Sequence, residues 1–70
     1  MDERDREACA ALNDLIRLDH AAVEAYQAAI AQADDARLRG RLRDFLHEHE
    51  RHTHRLGEEV RRLGGEPADA

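Results

Sequence analysis

The sequence predicts an all-α fold: two long helices in an antiparallel hairpin, with more apolar surface than one hairpin can cover. Three observations predict it. Apolar residues recur at steps of three and four along two stretches, about residues 4–33 and 36–63. A single break, Asp34-Asp35, divides them into near-equal halves. And 70 residues with a single cysteine cannot form an intrachain disulfide, so a core this small needs a metal or an oligomeric partner to stand firmly.

The first helix, about 4–33, is rich in Ala, Leu, Glu and Arg and contains no Gly or Pro. Its apolar stripe runs through Ala8, Leu12, Leu15, Ile16, Ala22, Val23, Tyr26, Ala29 and Ile30. Asp19 interrupts the stripe, four residues after Leu15 and four before Val23, and so faces inward at mid-helix. Asn13, Arg17, Glu24 and Gln27 mark the flank and outer side. Either Asp34 or Asp35 can cap the second helix, where a negative charge also suits the helix N-terminus.

The second helix, about 36–63, carries Leu38, Leu42, Phe45, Leu56, Val60 and Leu63 at helical spacing. The gap in that series falls on His49 and His52, which places two histidines on the stripe expected to be buried. His47 and His54 fall on flanking or outer faces, His20 lies one position off the inward face of the first helix, and Cys9 reads as a small apolar residue. Gly64-Gly65 followed by Pro67 stops the helix, and the tail 66–70 is expected to fray.

Counting outward from the turn pairs the helices, since residues level with each other have numbers adding to about 70 in such a hairpin. Tyr26 then faces Phe45, Leu15 faces Leu56, and Asp19 faces the His49–His52 turn. Polar residues meet polar residues at one height. A carboxylate and two imidazoles in an apolar seam must satisfy one another or something held between them. One Asp and two His form a transition-metal donor set. Glu48, four residues before His52, and Glu24, five after Asp19, are placed to hold a ligand ring nitrogen or to join it. The other reading is an Asp–His hydrogen-bonded layer without metal, which fixes register and partner choice in an interaction hairpin. A bis-histidine haem site is a third reading, disfavoured by Asp19 at the same level.

A hairpin alone leaves the far side of its stripe bare, and a twofold homodimer that forms a four-helix bundle is the simplest cover. The net charge of −5 speaks against nucleic acid and anionic membrane surfaces. No apolar run approaches the ~20 residues of a membrane span. The charged first residues and the lone cysteine fit a reducing, cytoplasmic setting. There is no Ser or Lys, and no Gly-rich phosphate loop, to support nucleophilic catalysis.

Asp19 followed by Tyr26, then Glu48-His49-Glu50-Arg51-His52, resembles the ferritin-like superfamily over about residues 12–65. The resemblance is to short members built from one hairpin per chain, such as encapsulated ferritins. Val60-Arg61-Arg62-Leu63-Gly64-Gly65-Glu66-Pro67 is also similar to small bacterial ferritin-like proteins. It implies a dimeric bundle, a diiron site shared across the dimer, and a role in iron oxidation or storage, in the cytoplasm or inside a protein compartment. Iron is the implied metal and zinc the second. Asp19 takes the place of the family's first-helix Glu, His52 that of its His, and Tyr26 that of an inward Tyr. His20 is a minor candidate. His49 stands where the family has a second Glu, and Glu48, about 100° away round the helix, does not replace it. A dimeric set of two Asp and four His balances one divalent ion where the family's four Glu and two His balance two. The departure weakens the expectation of ferroxidase activity.

Overall fold

The computed structural model describes residues 1–69 and contains two helices, α1 (Glu3–Gln32) and α2 (Ala36–Arg62), packed antiparallel along their length. Each starts on an aspartate. Asp2 accepts from the Asp5 N–H at 2.8 Å and Asp35 from the Arg37 N–H at 3.0 Å, each satisfying one orphan donor of a first turn. The connection is three residues long, and the Arg39 guanidinium reaches back to donate to the Ala33 carbonyl at 2.6 Å. The result is a rod of about 50 × 14 × 13 Å. Among the described residues no helix is long and apolar enough to cross a membrane.

The dry core lies toward the end away from the turn. Cys9, Ile16 and Val60 are buried there, with Leu12, Leu56, Leu63 and Ala68 packed against them. On α2 the line facing α1 runs through Leu46, His49, Thr53, Gly57 and Val60. The sequence expectation placed Phe45 and His52 on that line, and here the structure corrects it. α2 is turned by about one residue, so that small Thr53 and Gly57 go inward and larger Phe45 and His52 stand on a flank. Phe45 is 42% exposed.

The tail is also corrected. Residues 66 to 68 do not fray: they form a strap laid back over the hairpin, and residue 70 lies outside the described residues. α2 ends in paired closing bonds, with the Gly64 N–H donating to the Arg61 carbonyl and the Gly65 N–H to the Val60 carbonyl. That pattern needs a left-handed residue, and Gly64 supplies it at φ +92°. Gly65 then passes so close to the core that a Cβ there would sit 2.8 Å from Cys9 Sγ. Beyond it, Asn13 clamps the strap with both ends of its amide. Its Nδ2 donates to the Glu66 carbonyl at 3.1 Å, and its Oδ1 accepts from the Ala68 N–H at 2.8 Å. Pro67 rests against Gly57.

The strap covers one side of the seam only. Ile16, His20, Thr53, His54 and Gly57 line a groove with it. Leu15 and Leu18 lie round α1 on the side away from Asn13 and His20, and Phe45 and His52 lie round α2 on the side away from His54 and Gly57. These residues share the uncovered face. Leu15, Leu18, Leu38 and Phe45 are 48, 66, 48 and 42% exposed, large values for apolar side chains of this size.

Candidate functional site

Asp19 is carried into the seam by the same helical spacing that buries Ile16. It is the one charged residue that the described chain buries, at 8% exposure. Across the seam α2 presents His49, and the His49 Nδ1–H donates to Asp19 Oδ1 at 3.0 Å. A carboxylate oxygen accepts, so the proton of that bond sits on Nδ1 and Nε2 is left on the far side of the ring. His52, one turn on, turns its own Nδ1 toward the other carboxylate oxygen. The separation there is 3.6 Å, beyond hydrogen-bond reach, and Asp19 Oδ2 remains buried without a partner.

The two imidazoles differ in setting. The His49 side chain is 34% exposed and that of His52 is 65% exposed. His49 is held from two directions: its ring lies against Tyr26 at 5.4 Å between centroids, and Tyr26 stacks in turn on Phe45 at 5.9 Å. The Thr53 hydroxyl donates to the His49 carbonyl at 2.9 Å. His52 has no such support and stands on the uncovered face.

The structure therefore brings Asp19, His49 and His52 together, with Tyr26 beside them. Of the remaining candidates only Glu48 lies beside the group. Glu48 is exposed and lines an open groove with His49, Arg51, His52 and Arg55. Glu24 is exposed and forms no hydrogen bond or ion pair with the group among the described residues. His20 is on the strap side, in a groove with Val23, Glu50, Thr53 and His54, and so does not join the Asp19 group. His54 bonds Glu58 at 2.6 Å on the outer surface.

Within one chain, no three His, Cys, Asp or Glu side chains among the described residues are arranged to hold a metal ion. Two features set the limit. Asp19 Oδ1 is already taken up by His49, and His52 stands out toward solvent. What the chain holds by itself is a charged, half-satisfied polar layer at the edge of an apolar face.

Sequence reasoning missed Asn13 as a functional clamp and Thr53 as part of the seam. A signal for the clamp was present: Asn13 is level with Gly57, and Gly64-Gly65-Glu66-Pro67 returns the chain toward that same height.

A family model for a domain of unknown function, DUF2383, matches residues 7–70, nearly the whole chain. No curated protein and no solved structure matches it.

Proposed function

The chain belongs to the DUF2383 family, and we propose that it is a self-associating helical hairpin that binds a divalent transition-metal ion through Asp19, His49 and His52. One observation carries the reading. Asp19 Oδ2 is buried with no hydrogen-bond partner, beneath two imidazoles and at the margin of an apolar face. An orphaned carboxylate oxygen in such a place costs on the order of 1–3 kcal/mol or more. A cation drawn to the group offsets that cost, and imidazole with carboxylate suits iron, zinc and their neighbours.

The single chain does not close the site, and the second copy is part of the proposal. Leu15, Leu18, Leu38 and Phe45 form a face that another hairpin can cover by twofold symmetry. The same contact brings a second Asp19–His49–His52 group to the first and removes both from water. The ferritin-like resemblance favours iron, with zinc second. Asp19, His49 and His52 would hold iron and keep water from it, and iron held there would supply electron transfer to oxygen.

A second reading has its own support. The 3.0 Å Asp19–His49 bond already satisfies half the layer without metal, as in an interaction hairpin whose polar contact fixes register. Metal content per chain decides between them, measured by elemental mass spectrometry on protein purified without an affinity tag. The Asp19→Ala/His49→Ala/His52→Ala variant runs beside it, and both go through size exclusion with light scattering. About half or one equivalent of a transition metal, lost in the variant, supports the proposal. No metal after reconstitution, with the oligomer intact in both proteins, overturns it in favour of the polar layer.

A further inference from the structure

We infer that a second copy of this chain docks on the bare face about a twofold axis at the height of Asp19 and His49, with α1 against α1 and α2 against α2. The inference rests on the self-association in the reading above and not on the metal.

Two lines of residues run along the bare face, one on each helix. On α1, Ala11, Leu15, Leu18, Ala22, Ala25 and Ala29 recur at alternating steps of four and three, the spacing of a helix–helix seam. No charge interrupts that line, and all of it but Ala22 is exposed. On α2 the matching line is Arg41, Phe45, Glu48, His52, Arg55 and Glu59, at the same steps and exposed up to Arg55. One line is apolar and the other mostly charged. Both are self-complementary.

A twofold axis perpendicular to the rod sets each helix antiparallel on its own copy. Centred at the level of His20, it brings Leu15 to the partner's Ala25, Leu18 to the partner's Ala22, and Ala11 to the partner's Ala29. Each leucine then lies on an alanine, a large-on-small contact that lets two helices pack closely. Centred at the level of Glu50, it brings Arg41 to the partner's Glu59, Glu48 to the partner's His52, and Phe45 to the partner's Arg55. Each carboxylate faces a guanidinium or an imidazole, and the aromatic ring faces a guanidinium. His20 and Glu50 are themselves level in the hairpin, since Asp19 meets His49 at 3.0 Å and Cys9 meets the Val60 carbonyl at 3.9 Å. One axis therefore satisfies both lines, although the alanines of α1 do not dictate where charges fall on α2.

Other dockings pair these residues badly. Moving α2 along its copy by one heptad in one direction sets Glu48 on the partner's Glu59 and His52 on the partner's Arg55. Moving it the other way sets Arg41 on the partner's His52 and Glu48 on the partner's Phe45. A twofold along the rod lays α2 on α1 of the partner, with Arg41, Glu48 and Arg55 on Ala29, Ala22 and Leu15 of the partner subunit. Charges pressed on an apolar line lose water and gain no partner. Arg41, Glu48 and Arg55 make no ion pair within the described chain. Glu59 accepts from Arg62 Nε of its own chain at 3.1 Å, and a carboxylate has acceptor sites to spare for a second guanidinium.

The test reverses one charged pair and reads the dimer by sedimentation equilibrium at low ionic strength, in chelator and again with zinc. Arg41→Glu sets two carboxylates against each other at two places in the dimer, and Glu59→Arg sets two guanidinium groups there. Each should raise the dimer dissociation constant about 10–30-fold, with helix content unchanged by circular dichroism. The Arg41→Glu/Glu59→Arg double variant should regain the wild-type constant. An equal mixture of the two single variants should regain it as well, because the mixed dimer again joins opposite charges at both places. Positions 41 and 59 stand about 27 Å apart along α2, so recovery can come only from contact between chains. A wild-type dimer that neither reversal weakens overturns this docking and leaves self-association standing. So does a weakened dimer that neither the double variant nor the mixture restores. A wild type that stays monomeric at millimolar concentration, with and without zinc, overturns self-association and this docking with it.

Discussion

The two sides of the seam come from the same two helices and are finished in opposite ways. On the strap side the chain closes itself. Asn13, Thr53 and Gly57 are small or amide-bearing there, and the returning Gly64–Ala68 segment finds room and hydrogen-bond partners. On the other side Leu15, Leu18, Leu38 and Phe45 are 42 to 66% exposed, and no segment of the described chain returns to cover them. Ile16 and Leu15 make the contrast plain: neighbours on α1, one is 1% exposed and the other, round on the bare side, 48%. The strap side carries the stability of the hairpin. The bare side is left for association, and the Asp19 group stands where the two meet.

That contrast breaks most severely from the strap side. Ile16→Ala removes buried methyl groups from the middle of the dry core and should cost about 2–5 kcal/mol in urea unfolding. The milder Ile16→Val should cost about 0.5–1.5 kcal/mol, which keeps the measurement on scale if the alanine variant does not fold. An Ile16→Val protein as stable as the wild type would mean that the core at this end does not hold the hairpin. Gly65→Ala should follow. The new Cβ would meet Cys9 Sγ at 2.8 Å, and overpacking of this kind costs about 1–3 kcal/mol. Faster amide exchange at Gly65 and Ala68, with the α1 amides near Asp19 unchanged, would show that the strap has lifted.

Much of this was legible in the sequence and part was not, for physical reasons. The helices and the break between them follow from Ala- and Leu-rich composition, Asp35 as cap and Gly64-Gly65 as stop, which are local signals that read along the chain. The polar layer followed from counting, since an antiparallel hairpin fixes which residues are level and so sets Asp19 against His49. The rotation of α2 was not legible. Phe45-His49-His52 and Leu46-His49-Thr53 are both helical stripes, and size alone argues for burying the first. The choice is made by the strap, which needs small residues at Thr53 and Gly57 to lie down. The strap itself escaped because Glu66–Ala70 carries no periodicity, and its anchor depends on an asparagine 53 residues away.

Asn13→Ala sharpens the comparison by removing the clamp without touching the core. The Glu66 carbonyl and the Ala68 N–H lose partners together, at a net cost of about 1–2 kcal/mol for two bonds at the edge of the hairpin. The loss should be read in strap amide exchange more than in helix content. A variant whose strap amides exchange at the wild-type rate would show that Pro67 and Ala68 are held by packing alone.

The smallest effect on the hairpin is expected at Leu18, and its size depends on what covers the bare face. In protein dilute enough to be monomeric, Leu18→Ala should change stability by no more than about 0.5 kcal/mol, as for other exposed positions. If a second hairpin covers the face, the wild type gains stability with concentration, because association draws on the folded state alone. Leu18→Ala should then lose that gain and shift the association midpoint seen by sedimentation to higher concentration. Phe45→Glu, which puts a charge on the same face, should shift it further. Ile16→Val lowers stability at every concentration, whereas Leu18→Ala lowers it only where chains meet. If the two variants instead respond to concentration in the same way, the two sides are not divided between folding and association.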